Sequence, residues 1–165
     1  MEEIVLIAYI AALSVLFVFG SHGFIMIYYY LKYRSKKSQP VGEITTYPVV
    51  TVQLPVYNEI YVVGRLIDAA CAMVYPKDKL EIQVLDDSTD WTTNLLIGLV
   101  EKYRRQGVDI IYLHREDRYG FKAGNLSFGL KYAKGEFTAI FDADFIPPRN
   151  WLKRTVPFFN DPKVG

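Results

Sequence analysis

The chain has 165 residues, of which 51% are hydrophobic and 15% aromatic. This apolar content is sufficient for a packed core and argues against intrinsic disorder. The 19 basic and 18 acidic residues give a formal charge of +1, which argues against a protein that mainly binds nucleic acid phosphates. With one cysteine and two histidines, the chain has neither an internal disulfide nor a Cys/His metal cluster.

A long uncharged segment lies near the start of the chain. Residues 4–31 contain no Asp, Glu, Lys or Arg, and as a helix they would reach about 42 Å, more than the hydrocarbon core of a bilayer. A cleaved signal peptide is the alternative, but the segment is long for one and its start, Met1-Glu2-Glu3, is acidic rather than basic. We therefore predict one membrane-spanning helix. The polar residues 20–23 interrupt its apolar run, which predicts a loosened helix near the interface or a helix-packing contact; the alternative is a functional polar residue at membrane depth.

Basic residues follow the apolar segment and predict its orientation. Residues 32–37 carry four positive charges, which places this end in the cytoplasm and the amino terminus outside. We divide the chain into a membrane anchor with its basic flank at 1–37, a linker at 38–47 and a cytoplasmic domain at 48–165. The chain itself is thus expected to cross the membrane once.

Strands and helices alternate after residue 47. The pattern predicts strands at 49–54, 80–85, 108–113 and 137–141, and helices at 59–73, 92–106 and 122–133. The strand segments are rich in β-branched residues, whereas the helical segments carry apolar residues at helical spacing. Such repeats predict an α/β domain with a mostly parallel sheet, whose ligands bind beyond the carboxyl ends of the strands.

Carboxylates follow three of the predicted strands. The motifs are Tyr57-Asn58-Glu59, Asp86-Asp87-Ser88 and Asp142-Ala143-Asp144. Each alone is more typical of turns and helix caps than of a binding site. Together at one edge of the sheet they would repel one another unless a cation lay among them. Asp142 and Asp144, two residues apart on an extended segment, would point to the same side and could hold Mg²⁺ or Mn²⁺.

Four longer motifs occur in the same order as in a known family. They are QLPVYNE at 53–59, IQVLDDSTD at 82–90, RYGFKAGNL at 118–126 and IFDADF at 140–145. The chain resembles the membrane-anchored family 2 glycosyltransferases, in particular their cellulose synthase-like and mannan synthase-like branch. The resemblance implies a GT-A fold, a Rossmann-like sandwich that binds a nucleotide-sugar donor, of which this chain carries the donor-binding half.

The resemblance implies which residues contact the nucleoside of the donor. Pro55, Tyr57 and Glu59 match positions that line the nucleoside pocket. Asp87, the second acid of its pair, matches the position that contacts uracil or an equivalent base. These assignments are implied by the family motifs alone.

The phosphate end of the donor is implied in the same way. Lys122 matches a position near the nucleotide, and Arg118 is a further candidate there. Asp142 and Asp144 match the Asp-X-Asp motif that holds the divalent ion on the diphosphate. Asp142 is therefore counted both with the donor-binding residues and with the metal ligands, and the implied cofactor is Mg²⁺ or Mn²⁺.

The activity implied by the family is transfer of a hexose from a nucleotide sugar to a hydroxyl of a polysaccharide or lipid acceptor, with inversion at the anomeric carbon. Within this reading, a UDP-hexose is favoured over GDP-mannose as the donor. The relatives carry the general base and an acceptor-binding motif further along the chain, followed by more membrane helices. We therefore assign no catalytic residue here, and we expect the base beyond Gly165 of a multi-pass protein.

Three interpretations of the chain follow. We favour an amino-terminal fragment of a transferase, which does not transfer sugar by itself. The first alternative is a membrane-tethered module that binds nucleotide or metal without catalysis. The second is a structural membrane subunit, which would bind no nucleotide even with Mn²⁺ present.

Overall fold

A computed structural model describes residues 1–36, 39–40 and 46–164 of the chain. The chain forms two compact units, Met1–Gln39 and Pro40–Gly165. Most of the predicted linker 38–47 lies outside the described residues, as do Lys37 of the basic flank and Gly165 at the end of the predicted domain. The boundary between anchor and domain at these residues stays a prediction.

The first unit contains one long helix, α1, which runs over Glu2–Tyr33 and includes the whole predicted apolar segment. The helix continues without a break through residues 20–23. Ser21 donates its hydroxyl to the carbonyl of Phe17 at 2.7 Å, one turn back, which satisfies its polar group within the helix. None of the residues of α1 is buried, and the helix is long and apolar enough to cross a membrane.

The second unit alternates strands with helices, as predicted. Its strands are β1 Val50–Val56, β2 Leu80–Asp86, β3 Ile110–His114 and β4 Phe137–Ile140. Its α-helices are α2 Val63–Cys71, α3 Thr92–Arg105, α4 Phe121–Leu130 and α5 Trp151–Thr155, and 3₁₀ helices lie at Lys77–Lys79 and Val156–Asn160. The apolar pattern does not predict α5 or the 3₁₀ helices, because each is too short to show a helical period.

Two boundaries near the start of the domain differ from the prediction. β1 runs to Val56, beyond the predicted end at residue 54, and it can include Pro55 because β4 pairs with β1 only as far as Gln53. The missing N–H of Pro55 therefore leaves no bond of the β1–β4 ladder unmade. α2 begins at Val63 rather than at residue 59. Residues 60–62 instead form a turn, in which the N–H groups of Val62 and Val63 both donate to the carbonyl of Glu59, at 3.1 and 3.0 Å.

The four described strands are all parallel and stand in the order β3-β2-β1-β4. The chain passes from β1 to β2 to β3 in one direction and then crosses back to β4 on the other side of β1. Right-handed crossovers place α2 and α3 on one face of such a sheet and α4 on the other. The reversal lies between β1 and β4, where open parallel sheets form their ligand clefts.

The two faces of the sheet are packed differently. An apolar face, including Val52, Leu54 and Val84, forms the core with α2 and α3. The face under α4 carries buried polar side chains, and the amides of Gln53 and Gln83 are hydrogen-bonded there at 3.0 Å. α4 lies so close to this face that a Cβ at Gly129 would be 2.7 Å from Nε2 of Gln53. This close packing holds the last turn of α4 directly against the sheet.

Candidate functional site

A cavity of about 480 Å³ lies at the carboxyl edge of the sheet, beside the reversal between β1 and β4. It is lined by Pro55, Val56, Tyr57, Glu59, Asp87, Arg118, Lys122, Asn125, Asp142, Ala143 and Asp144. All the residues that the motifs predicted for donor and metal binding are among them. The three carboxylate motifs thus meet in one cavity, because the carboxyl ends of parallel strands lie at the same edge.

The loops after β1 and β2 are tied together by Asn58, which the sequence reasoning missed as a functional residue. The backbone N–H of Asn58 donates to Oγ of Ser88 at 2.9 Å, and Oδ1 of Asn58 accepts the N–H of Thr89 at 2.9 Å. Asn tolerates the left-handed conformation seen here better than most residues do. The loop that carries Tyr57 and Glu59 is thereby joined to the loop after β2.

Asp86 is buried at the end of β2 and is the centre of a hydrogen-bond network. Its carboxylate accepts from the hydroxyls of Tyr112 and Thr93 at 2.7 and 2.8 Å and from the N–H of Ser88 at 2.8 Å. Burial alone would raise the pKa of Asp86, but these hydrogen bonds outweigh it and hold that pKa below its usual value. Asp86 therefore stays charged and shapes the loop, whereas Asp87 lines the cavity.

Asp87 forms a buried, bidentate ion pair with Arg115, the residue directly after β3. Nε of Arg115 donates to Oδ1 of Asp87 at 2.9 Å, and Nη2 donates to Oδ2 at 2.7 Å. The hydrogen bonds to Asp87 raise the pKa of Arg115. No motif identified Arg115, although its place after β3, beside the end of β2, is a signal that could have done so.

The same arginine holds the loop that leads into α4. Its Nη1 and Nη2 donate to the carbonyls of Tyr119 and Phe121 at 3.1 and 3.2 Å. Gly120 and Phe121 have φ values of 72° and 50°, so the chain turns through the left-handed region immediately before Lys122. For Phe121 this conformation is strained, and such strain is frequent at functional sites.

The glycine at position 124 allows this turn to lie against α4. A Cβ at Gly124 would be 2.1 Å from the carbonyl oxygen of Tyr119, so no other residue fits without moving the loop. One position further, Nδ2 of Asn125 donates to the carbonyl of Leu85 at 2.9 Å and anchors the helix to β2. The motif RYGFKAGNL thus serves to bring Arg118 and Lys122 to the cavity.

Asp142 and Asp144 both line the cavity, but not for the reason that the sequence suggested. The segment after β4 is not extended: it turns at Ala143, with the N–H of Phe145 donating to the carbonyl of Asp142 at 3.0 Å. The geometric argument from an extended segment is therefore wrong, because the turn replaces the strand alternation. Asp142 forms an ion pair with Lys122 across the cavity.

The carboxylates suit a divalent ion that takes most of its ligands from elsewhere. Within 1–36, 39–40 and 46–164, no three His, Cys, Asp or Glu side chains are grouped to hold a metal ion by themselves. Asp142 and Asp144 supply hard oxygen atoms, and Mg²⁺ is commonly bound by one or two carboxylates together with substrate phosphates. The donor set thus fits Mg²⁺ or Mn²⁺ on a diphosphate and does not fit a metal held by the protein alone.

Arg118 lies over the ring of Tyr57. Its guanidinium carbon is 3.3 Å from the centroid of that ring and 5.3 Å from the centroid of Phe121. Its Nε is buried and has no hydrogen-bond partner in the described part of the chain. The cavity therefore contains a guanidinium that is held by rings rather than by a carboxylate.

Comparisons with known proteins agree with this geometry. The sequence model of the family described as "Glycosyl transferase family 2" matches residues 51–165. A relative from Oryza sativa subsp. japonica, "Probable glucomannan 4-beta-mannosyltransferase 7", is 51% identical over 124 residues, covering 72% of this chain and 21% of the relative. "Glucomannan 4-beta-mannosyltransferase 2" from Arabidopsis thaliana is 46% identical over 126 residues, covering 73% and 24%. The chain thus spans about a fifth to a quarter of the length of these relatives.

Solved structures show the same fold. The mannosyltransferase PcManGT from Pyrobaculum calidifontis, in complex with GDP-Man and Mn²⁺, has a TM-score of 0.76 and 31% identity over 93% of this chain and 45% of its own. S. aureus TarS 1–349 in complex with UDP-GlcNAc has a TM-score of 0.59 and 28% identity over 68% of this chain and 31% of its own. The predicted parallel-sheet α/β fold of the GT-A type is confirmed, and the chain contains part of such a domain. On the match of the family over most of its length, the chain belongs to glycosyl transferase family 2.

Proposed function

We propose that this chain binds the donor in a glycosyltransferase that moves a hexose from a nucleotide sugar to a polysaccharide or lipid hydroxyl. The observation that carries the proposal is the single cavity in which the predicted donor and metal residues meet. Following the family motifs, we assign Asp87 to the nucleoside of the donor, and Lys122, Asp142 and Asp144 to its diphosphate. The membership in family 2 supports the reaction class.

Mannose is the hexose that the relatives favour. The plant relatives carry mannosyltransferase in their names, and the archaeal mannosyltransferase was solved with GDP-Man. We therefore propose GDP-mannose as the donor, whereas the sequence alone favoured a UDP-hexose. Guanine and uracil both carry N–H groups, from which a carboxylate such as that of Asp87 can accept hydrogen bonds.

The proposed reaction is a displacement at the anomeric carbon. A lone pair of the acceptor hydroxyl forms the new bond to that carbon from the face opposite the leaving group. The bond to the diphosphate oxygen breaks, and the nucleoside diphosphate leaves with its electron pair, so the configuration inverts. The hydroxyl proton passes to a general base, which the family resemblance predicts beyond Gly165.

The residues of this chain would hold and neutralise the diphosphate. Lys122 would place a positive charge beside it, and Asp142 and Asp144 would hold the divalent ion. When bound, that ion would neutralise the charge that develops on the leaving diphosphate. Because Asp142 and Lys122 pair with each other at an exposed position, each is free to exchange its partner for a ligand of the donor.

We propose that α1 anchors the domain in a membrane, with the amino terminus outside and the domain in the cytoplasm. The apolar length of α1 supports the span, and the basic residues Lys32, Arg34 and Lys36 support the orientation. Accessibility of a cysteine introduced at position 2 to an impermeant reagent on intact cells would test it. Labelling only after lysis would contradict this orientation.

Donor binding can be tested by titration calorimetry on the whole chain in detergent micelles. With Mn²⁺ present, we expect GDP-mannose to bind more tightly than UDP-glucose, and EDTA to remove most of the affinity. Asp144→Asn should lower the Mn²⁺-dependent affinity by about 100-fold or more, since changes even behind a metal ligand cost about 10- to 100-fold. Asp78→Asn is the matched control, because Asp78 is exposed in the 3₁₀ helix before β2, at the opposite edge of the sheet.

The outcomes separate donor binding from the interpretation as a structural subunit. Absence of binding by the unsubstituted chain with either donor would contradict the proposal and favour a structural subunit. Tighter binding of UDP-glucose would restore the UDP-hexose prediction. Unchanged affinity in Asp144→Asn would remove Asp144 from the metal site.

A further inference from the structure

Arg115 is not one of the residues that line the donor cavity, yet its side chain joins two of its borders. Nε and Nη2 donate to the carboxylate of Asp87, and Nη1 and Nη2 donate to the carbonyls of Tyr119 and Phe121, in the turn before Lys122. One guanidinium thus connects a residue assigned to the nucleoside with the turn that precedes a residue assigned to the diphosphate.

The position of Arg115 is itself well determined. Its side chain is 12% exposed, and its backbone N–H donates to the carbonyl of Asp86 at 3.1 Å, which fixes it to the end of β2. The guanidinium makes its contacts to a carboxylate and to two carbonyls at the same time because its donors are spread over a rigid plane. The single ammonium group of a lysine has no such spread.

The turn needs a support from outside because its backbone is strained. Phe121 has a φ of 50°, a left-handed conformation that is unfavourable for any residue with a Cβ and persists only where the surroundings impose it. Packing of the ring does not impose it, since Phe121 is 66% exposed. Among the described residues, the other hydrogen bonds of the turn join residues at most four apart, so they shape the turn without tying it to β2.

We infer that Arg115 is a positioning residue for Lys122: it holds the strained turn from the carboxylate of Asp87, and so keeps Lys122 directed at the diphosphate. The inference rests on the proposed function and adds a dependence between two parts of the site. Arg115 and Asp87 should therefore affect the binding of a diphosphate, although the diphosphate is assigned to neither of them.

Inorganic pyrophosphate tests this dependence, because it has the diphosphate of the donor and no base. Pyrophosphate with Mg²⁺ is titrated into the whole chain in detergent. Arg115→Lys keeps the charge but cannot hold the carboxylate and both carbonyls, and it should weaken pyrophosphate about 5- to 30-fold, the factor that matches the cost of a left-handed residue other than glycine. Arg105→Lys is the matched control, because Arg105 is exposed at the end of α3 and pairs with Glu101; its affinity should equal that of the unsubstituted chain.

A rescue separates positioning from a general loss of structure. Glycine adopts the left-handed conformation at no steric cost, so a turn with Phe121→Gly no longer needs the support of Arg115. In the Phe121→Gly background, Arg115→Lys should therefore weaken pyrophosphate less than about 3-fold. The single variant Phe121→Gly supplies the reference for this comparison.

A second variant keeps the test independent of how Arg115→Lys folds. Asp87→Asn has nearly the same shape but removes a negative charge from the cavity, which by electrostatics alone would strengthen the binding of an anion. Through Arg115 it should have the opposite effect and weaken pyrophosphate by about 3-fold or more, because the bonds that anchor the guanidinium lose their charged acceptor.

Three results would overturn the inference while leaving the proposed function intact. The first is unchanged binding of pyrophosphate in Arg115→Lys, and the second is an equal loss with and without Phe121→Gly. The third is equal or tighter binding of pyrophosphate in Asp87→Asn. If the unsubstituted chain bound neither pyrophosphate nor GDP-mannose, the proposed function and this inference would both be overturned, whereas binding of GDP-mannose without binding of pyrophosphate would overturn the inference alone.

Discussion

Two ion pairs border the same cavity and differ in almost every physical respect. Arg115 and Asp87 have side chains that are 12% and 3% exposed, and the pair is joined by two hydrogen bonds. Lys122 and Asp142 have side chains that are 51% and 58% exposed and meet through one contact. The first pair is part of the folded framework, and the second is open to water and to a ligand.

The difference in burial indicates that the two ion pairs have different roles at the cavity. A buried, two-pronged pair cannot lose one partner without leaving a charge in a place that water does not reach. An exposed pair contributes little to stability and exchanges its partners freely. The pair of Arg115 and Asp87 is therefore preorganised, whereas Lys122 and Asp142 are each free to exchange a partner for a ligand in the cavity.

The largest effect is expected from breaking the buried pair. Arg115→Ala leaves the nearly inaccessible carboxyl group of Asp87 without its partner, so the free energy of unfolding should fall by about 3–5 kcal/mol. Urea unfolding of the chain in detergent, followed by circular dichroism, measures it. Arg105→Ala, which breaks the exposed pair with Glu101, is the control and should cost less than about 0.5 kcal/mol. A loss of the same small size in Arg115→Ala would show that the two pairs near the cavity do not differ as argued.

An intermediate effect on stability is expected at Asp86, which is buried like the pair of Arg115 and Asp87. Because its pKa is below the usual value in the folded chain, Asp86 stabilises the fold above about pH 4 and loses that contribution as the pH falls through its folded pKa. Asp86→Asn should be less stable by about 1–3 kcal/mol at pH 7.

The pH dependence supplies the sharper measurement for this variant. Thermal unfolding between pH 7 and pH 3 should show a shallower loss of stability in Asp86→Asn than in the unsubstituted chain. Asp78→Asn, at the other edge of the sheet, should retain the steeper profile. Parallel profiles for Asp86→Asn and the unsubstituted chain would mean that Asp86 has an ordinary pKa.

The smallest effect on stability is expected at the exposed pair. Lys122→Ala removes the partner of a carboxylate that remains in water, so the free energy of unfolding should change by less than about 1 kcal/mol. The affinity for GDP should nevertheless fall, because the charge lies in the cavity. A large loss of stability measured by urea unfolding would place this pair in the framework with Arg115 and Asp87.

The sequence predicted more of the strands than of the turns. All four strands and the three longer helices of the domain were found, because their apolar periods are set by local geometry. β1 continues through Pro55, beyond the predicted end at residue 54, because the effect of a proline on a strand depends on how far its neighbour β4 reaches along it. The turn at Ala143 was also missed, because an Asp-Ala-Asp motif fits an extended segment and a turn equally well.

The residues of the candidate site were likewise predicted only in part. The motifs identified the residues that line the cavity, but Asn58 and Arg115 were missed as functional residues because their roles are interactions with other loops. Arg118 was a candidate by its position in the motif alone. Its contact with Tyr57, more than fifty residues earlier, has no counterpart in any local pattern.

The sequence by itself determined an apolar helix, an alternation of strands and helices, and acidic motifs at the ends of strands. Each follows from interactions between residues close together in the chain, and the parallel alternation alone brings the strand ends to one edge. The tertiary structure decided which charged residues form ion pairs, because the strand order β3-β2-β1-β4 determines which loops are neighbours. Arg115 meets Asp87 since β3 lies beside β2, and Lys122 meets Asp142 since α4 leads back across the sheet to β4.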